Sequence, residues 1–166
     1  HLIESGPAAG VIACAALGAA EDLGDLISFD MGGTTAKAGV VVGGQPKLST
    51  EFYADRFVDG IDVGGYPIQS PVIDLIEIGS GGGSIAWIDT NGIIKVGPGS
   101  AGAQPGPACY NQGGELPTVT DAHVVVGHIA ADGFGSEDLA INPDRARNAI
   151  ACYIAEPFGW TVEQAA

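Results

Sequence analysis

Six consecutive residues, Asp30-Met31-Gly32-Gly33-Thr34-Thr35, gather side-chain and backbone types that can handle a phosphorylated ligand. Two adjacent glycines let the chain take positive φ and expose main-chain N–H groups that a Cβ would shield from an anion. Thr34 and Thr35 add hydroxyls able to donate to a phosphate oxygen or to bind a metal-held water. A carboxylate at Asp30 can hold Mg²⁺ or its waters, or orient an attacking oxygen. The GxxxxGK[ST] pattern of a Walker loop is absent, so this is a different kind of phosphate turn. A plain hairpin turn with an edge aspartate fits the same residues.

The turn needs flanking elements to hold it. Leu26, Ile27 and Phe29 form an apolar run ending at Asp30, and Ala38–Val42 form a second run leading to Gly43-Gly44. Short apolar runs bounded by turn signals predict two buried strands, the second running back beside the first. Lys37 projects from the start of that second strand, where it fits either a phosphate contact or a solvated edge. A second glycine cluster, Gly79-Ser80-Gly81-Gly82-Gly83-Ser84, follows a predicted strand over 72–78. Its backbone can approach a ligand or another segment closely, so Gly81, Gly82 and Gly83 are candidate ligand contacts; a bulged strand connection is the alternative.

Elsewhere the punctuation predicts a helix over 4–24, with Ser5 as N-cap, Pro7 in its first turn and Gly24 at its end. Residues 46–53 are expected to pair with Ala38–Val42, and 55–69 to form a loop in which Asp59 and Asp62 are solvated. Asn91-Gly92 predicts a type I′ hairpin between 85–89 and 93–96, with Trp87 in the core. Residues 97–114 read as a long loop carrying Cys109, for which a nucleophilic role has no basic neighbour in sequence to support it. A helix is predicted over 118–129, capped by Thr118 or Thr120, with Asp121 in its first turn. His123 and His128, five apart, are not expected to share a helix face, which argues against a His–His metal pair. A further helix is expected over 142–155, and Thr161-x-x-Gln164 reads as the capping box of another.

With 166 residues the chain is long enough for one domain with a core. It opens on His1 and stops inside an apparent new helix, so an internal piece of a longer chain is expected. A net charge of −14 excludes a general nucleic-acid surface and disfavours an anionic membrane. The three cysteines, Cys14, Cys109 and Cys152, show no zinc spacing, and no apolar run reaches the length of a membrane span. A cytoplasmic location is the default expectation.

Five ordered blocks carry a resemblance: ESGPAAGV at 4–11, FDMGGTT at 29–35, PVIDLIEIGSGGGSIAWID at 71–89, VGPGSAGAQPGPACY at 96–110 and PTVTDAHVVVG at 117–127. Together they resemble the A-type subunit of the hydantoinase/oxoprolinase family, and FDMGGTT resembles the second phosphate loop of actin/hexokinase/Hsp70-like ATPases. The resemblance implies an α/β fold, part of a ribonuclease H-like ATPase domain with a mixed sheet, hairpins and flanking helices. It implies ATP and Mg²⁺ as cofactors, with phosphates on Gly32, Gly33, Thr34 and Thr35 and Asp30 acting on Mg²⁺ or the attacking oxygen. The implied activity is ring opening of a cyclic amide such as a hydantoin or 5-oxoproline, beside a B-type partner subunit. Carboxylation of a ketone, or a non-catalytic nucleotide-binding module, are the alternatives. The first phosphate loop and an adenosine motif of such ATPases are not found in these residues, so the chain alone is expected to hydrolyse no ATP. Lys37, Gln104 and His123 stand where the family pattern leads us to expect Asp, Asp and Asn, which leaves substrate and subfamily open.

Overall fold

The computed structural model describes residues 4–54, 57–58, 61–62, 64–132 and 140–166. It is a mixed α/β protein that divides into two compact units, residues 1–30 with 37–77, and residues 31–36 with 78–166.

The first unit begins with helix α1 (Ser5–Ala20). Its alanines favour the helix, and Val11, Ala15 and Gly18 fall on one buried face at helical spacing. Ser5 is its first helical residue rather than its cap; Glu4, in the left-handed region at φ 49°, holds the cap position without a side-chain cap bond. Gly24 does not close the helix. Asp22 takes the left-handed turn at φ 54°, and the Leu23 N–H donates to the Gly18 carbonyl at 2.8 Å, a Schellman end.

Strands β1 (Leu26–Met31) and β2 (Ala36–Val42) follow as the sequence predicts. They are sheet neighbours joined by only four residues, a connection that only an antiparallel pair allows. The segment after β2 departs from expectation. Only β3 (Gln45–Pro46) pairs back on β2, whereas β4 (Leu48–Ser49) pairs with β9 (Val72–Ile73). The predicted loop over 55–69 is instead a ribbon: β5 (Phe52–Ala54) pairs with β8 (Tyr66–Ile68), and β6 (Phe57–Val58) with β7 (Ile61–Asp62). Phe52, Tyr53, Phe57, Val58, Ile61, Tyr66 and Ile68 supply the strand preference that the glycines obscured. Asp59 lies outside the described residues. The strand expected over 72–78 is broken at Asp74, whose N–H donates to the Lys47 carbonyl at 2.9 Å; β10 (Leu75–Ile78) then joins the sheet beside β2.

Val11 and Ala15 of α1 pack on Val41, with Leu26, Ile73 and Leu75 around them. Gly39 makes this fit possible, because a Cβ there would lie 2.6 Å from Val11 Cγ2.

The second unit is built on the hairpin of β11 (Ser84–Ile88) and β12 (Ile94–Ser100). Its turn is not type I′, since only Gly92 has positive φ, at 75°. Asp89 organises it: one carboxylate oxygen accepts from the N–H groups of Asn91 and Ile93, both at 2.9 Å. Those bonds, the Ile93 one foremost, hold the Asp89 carboxyl below its ordinary pKa. Trp87 is not a core residue; it is half exposed, with its indole N–H on the Gly97 carbonyl at 2.7 Å. Beyond a 3₁₀ turn (Ala108–Tyr110) come α2 (Val119–Val125), α3 (Pro143–Ile150), a π-helical turn (Ala151–Ala155), α4 (Glu156–Phe158) and α5 (Val162–Ala165). Asn142 caps α3, and the Thr161–Gln164 capping box starts α5 as expected. No described helix is long and apolar enough to cross a membrane.

Replacing Gly39 by alanine is expected to lower the unfolding free energy by about 1–3 kcal/mol, the usual effect of overpacking a closed core. Urea denaturation of the chain checks this, and an unchanged midpoint would contradict the close approach of α1 to β2.

Candidate functional site

The Met31–Ala36 connection forms a tight loop closed by the Gly32 N–H on the Thr35 carbonyl at 2.9 Å. Among the described residues, no protein acceptor pairs with the N–H groups of Gly33 and Thr34. Both residues are exposed, and nothing lies within 4 Å of where a Gly33 Cβ would sit. The backbone of the second glycine cluster lies against this loop. The Gly82 N–H donates to the Gly32 carbonyl at 2.9 Å, and the Gly83 N–H to the Gly33 carbonyl at 2.7 Å.

The approach is too close for side chains. A Cβ on Gly81 would come within 2.6 Å of the Thr34 backbone, one on Gly82 within 2.8 Å of Thr120 Oγ1, and one on Gly83 within 2.9 Å of the Gly33 carbonyl oxygen. Thr120, in the first turn of α2, clamps the junction: its N–H and its hydroxyl both donate to the Gly82 carbonyl at 2.8 Å. The two glycine clusters therefore form one backbone assembly.

That assembly walls a cavity of about 570 Å³, lined in part by Gly32, Gly33, Thr34, Gly82, Gly83 and His123. The size suits a small-molecule ligand. No Lys, Arg, Asp or Glu is among its described lining residues. Gly81 and Thr35 are not among them either. Asp30 is an exposed carboxylate on β1 directly before the loop. Lys37 is neither solvated nor on this cavity; it ion-pairs with Glu4 and, at 3.5 Å, with Glu77, and the Glu4 bond is the main cause of its raised pKa.

Asp121 is structural. Fully buried, its carboxylate accepts from the Thr118 N–H at 2.9 Å, the Thr118 hydroxyl at 2.8 Å, the Cys109 N–H at 2.7 Å and the Ala108 N–H at 3.2 Å. It thus closes the capping box of α2 and pins the 3₁₀ turn to it. Cys109 packs with Val124, Ile141 and Ala146, and burial, then the neighbouring Asp121 charge, push its thiol far above the ordinary range. A protonated thiol is no nucleophile, so Cys109 is a core residue.

One contact runs against the sequence expectation. His123 and His128 meet, with Nδ1 to Nδ1 at 3.0 Å. The helix stops at Val125, and Gly127 turns left-handed at φ 79°. The His128 N–H then donates to the His123 carbonyl at 2.9 Å and the Gly127 N–H to the Val124 carbonyl at 3.2 Å. This Schellman end brings together the two side chains that a continuous helix would separate. Gly127 was the signal for it. Among the described residues, no group of three His, Cys, Asp or Glu converges as a metal site.

All of residues 1–166 match the family model described as Hydantoinase/oxoprolinase. The chain belongs to this family. It is 40% identical over its whole length to the caprolactamase alpha subunit of Pseudomonas jessenii, covering 23% of that protein. It is 38% identical to the acetophenone carboxylase gamma subunit of Aromatoleum aromaticum, over 97% of this chain and 21% of that one. The crystal structure of the ATP-dependent caprolactamase from P. jessenii superposes with a TM-score of 0.76 at 38% identity, over 98% of this chain and 22% of that one. The chain thus spans about a quarter of the length of the curated relatives it matches.

Three outcomes are expected. Replacing Asp121 by alanine strands four buried donors and should cost about 2–4 kcal/mol in urea denaturation. At pH 8 iodoacetamide should label the exposed Cys152 and spare Cys109 until the chain is unfolded, as peptide mass spectrometry would read. Because burial raises the Cys109 and Tyr110 pKa values in the fold, stability should be fully present below the ordinary thiol range of about 8.5 and decline as pH rises above it.

Proposed function

We propose that this chain is part of an actin-like ATPase domain and carries its second phosphate-binding loop. The parent enzyme couples ATP cleavage to ring-opening hydrolysis of a cyclic amide, a hydantoin or a 5-oxoproline-like lactam. The observation that carries this reading is the cavity walled by Gly32–Thr34 and Gly82–Gly83, with unpaired N–H groups on the loop. Family membership and similarity to an ATP-dependent caprolactamase support it.

The residues fit a phosphate. Glycines at Gly32, Gly33, Gly82 and Gly83 leave main chain rather than side chain at the wall, so phosphate oxygens can reach N–H groups at hydrogen-bonding distance. The Gly33 and Thr34 N–H groups donate, and the Thr34 hydroxyl adds a further donor; Thr35, off the cavity lining, closes the loop through its carbonyl instead. Asp30 holds Mg²⁺, directly or through water, or orients the attacking oxygen. Mg·ATP supplies a phosphoryl group that makes an amide oxygen, otherwise inert, a good leaving position. The cyclic amide is presented with a B-type subunit of the same family, and this chain alone turns over no ATP.

Ketone carboxylation is a second reading, favoured by the 38% identity to an acetophenone carboxylase subunit. It asks the same work of the loop, since a ketone oxygen is activated in the same way.

The test is calorimetric titration of Mg·ATP into the full-length protein, followed by phosphate release with 5-oxoproline, hydantoin or acetone and bicarbonate. Asp30→Ala should lower turnover at least about a hundredfold. Gly33→Val should leave the melting temperature unchanged, because the position is open, while weakening binding more than about tenfold. Binding without turnover on any of these compounds would favour a non-catalytic module. Silence of the full-length protein toward Mg·ATP would overturn the ATPase reading.

A further inference from the structure

His123 stands at the wall of the glycine-lined cavity and, together with His128, also lines a second cavity of about 550 Å³; neither the backbone assembly nor the core accounts for the pair. His123 is half-buried; His128 is exposed. The geometry of the pair says what the two nitrogens share. The ring centroids lie 5.3 Å apart and the Nδ1 atoms 3.0 Å apart. The difference is about two centre-to-vertex radii of a five-membered ring, so both Nδ1 lone-pair axes lie nearly along the N···N line. Two lone pairs that face one another suit one shared proton. A single metal ion would need them to converge off that line, and the rings would have to turn.

A shared proton fixes the other nitrogens. In a neutral pair one Nδ1 donates and the other accepts, so the accepting ring must carry its own proton on Nε2. If His128 donates, His123 presents Nε2–H as a donor. If His123 donates, its Nε2 is a bare lone pair. With Nδ1 committed to His128, Nε2 is the only polar ring atom of His123 left for a ligand. The cavity has unpaired amide donors on Gly33 and Thr34, and no charged residue among its described lining. A ligand that satisfies those donors presents acceptor oxygens, as the phosphate of the proposed function does, and an acceptor oxygen at His123 Nε2 selects the tautomer with a donor there.

We propose that His123 Nε2–H is a direct contact for an anionic phosphate oxygen in this cavity, with His128 as the positioning residue that fixes the His123 ring and its tautomer. The inference rests on the phosphate-loop reading and names a recognition residue within it. The C″-to-C3 contact of the Schellman end supplies the positioning, because the backbone turn at Gly127 holds His128 over His123.

The experiment titrates Mg·ATP into the full-length protein and five variants, with melting temperatures measured beside each affinity. His123→Ala should weaken binding by about 10- to 100-fold, the loss of one hydrogen bond to a charged group. His123→Gln should recover affinity to within about threefold of wild type, because the glutamine amide places a donor near the position of Nε2. His128→Ala should weaken binding by about three- to tenfold in the wild-type background and leave the His123→Gln variant unaffected, since glutamine has no tautomer to fix. Equal affinity in wild type and His123→Ala, when Gly33→Val still loses binding, overturns this inference and leaves the phosphate-loop reading standing. Equal losses in His123→Ala and His123→Gln also overturn it, whether or not the melting temperatures fall. Absence of Mg·ATP binding in the wild-type protein overturns both.

Discussion

The second unit depends on main chain meeting main chain. The Gly82 and Gly83 N–H groups donate to the Gly32 and Gly33 carbonyls at 2.9 and 2.7 Å, a spacing that leaves no room for a Cβ on Gly81, Gly82 or Gly83. Glycine is weak in strands and turns for entropic reasons, so two such clusters are costly in isolation. Hydrogen-bonded to each other they hold a fixed shape. The loop carbonyls face the second cluster, and the loop amides of Gly33 and Thr34 are left without protein acceptors among the described residues. The arrangement thereby pairs the loop carbonyls with the second cluster and leaves these two loop amides open.

Rigidity of the assembly is inherited from α2. Thr120 spends both its N–H and its hydroxyl on Gly82, while Asp121, one residue on, collects four hydrogen bonds from the Thr118 cap and the 3₁₀ turn. Two adjacent residues of one helical turn thus tie the glycine assembly on one side to a buried core on the other. A buried carboxylate with four donors is a strong constraint, since each bond to a charged acceptor exceeds an ordinary one. Its role is scaffolding, and it is spent before any chemistry is asked of it.

Local signals were legible in the sequence, and long-range ones were not. The β1–loop–β2 hairpin, the helix start at Asn142 and the Thr161 capping box follow from short-range rules and appear as read, and of the two caps open for α2, Thr118 or Thr120, the structure takes Thr118. The ribbon over 52–68 was hidden because its glycines mask strand residues that pair with segments many positions away. Gly24 misled at the end of α1 because Asp22 can also take the left-handed conformation. Trp87, expected in the core, is half exposed because its indole N–H needs an acceptor and finds the Gly97 carbonyl. Lys37 pairs with Glu4 and Glu77, 33 and 40 residues away, which no periodicity reveals. That the glycine run and the threonine loop lie against each other was not legible either, because backbone contacts between segments about fifty residues apart leave no local spacing.

The distribution of positive potential at the cavity is then a question of which donors remain uncommitted. Lysine and arginine are absent from its described lining, and Lys37 is held by two carboxylates. The N-terminal turn of α2 has little left to offer, because Thr118 and Asp121 close its capping box and the Thr120 N–H is on Gly82. What remains includes the pair of amides at Gly33 and Thr34, the Thr34, Ser100 and Tyr110 hydroxyls and the His123 ring. None carries a full fixed charge. Fixed dipoles without counter-charge hold an anion best when a cation accompanies it, since the −14 chain otherwise repels a polyanion. On the proposed phosphate reading, a metal–phosphate complex, whose net charge is reduced before it arrives, is therefore the form of ligand that this wall would receive, and Asp30, exposed directly before the loop in sequence, is the carboxylate proposed for its metal.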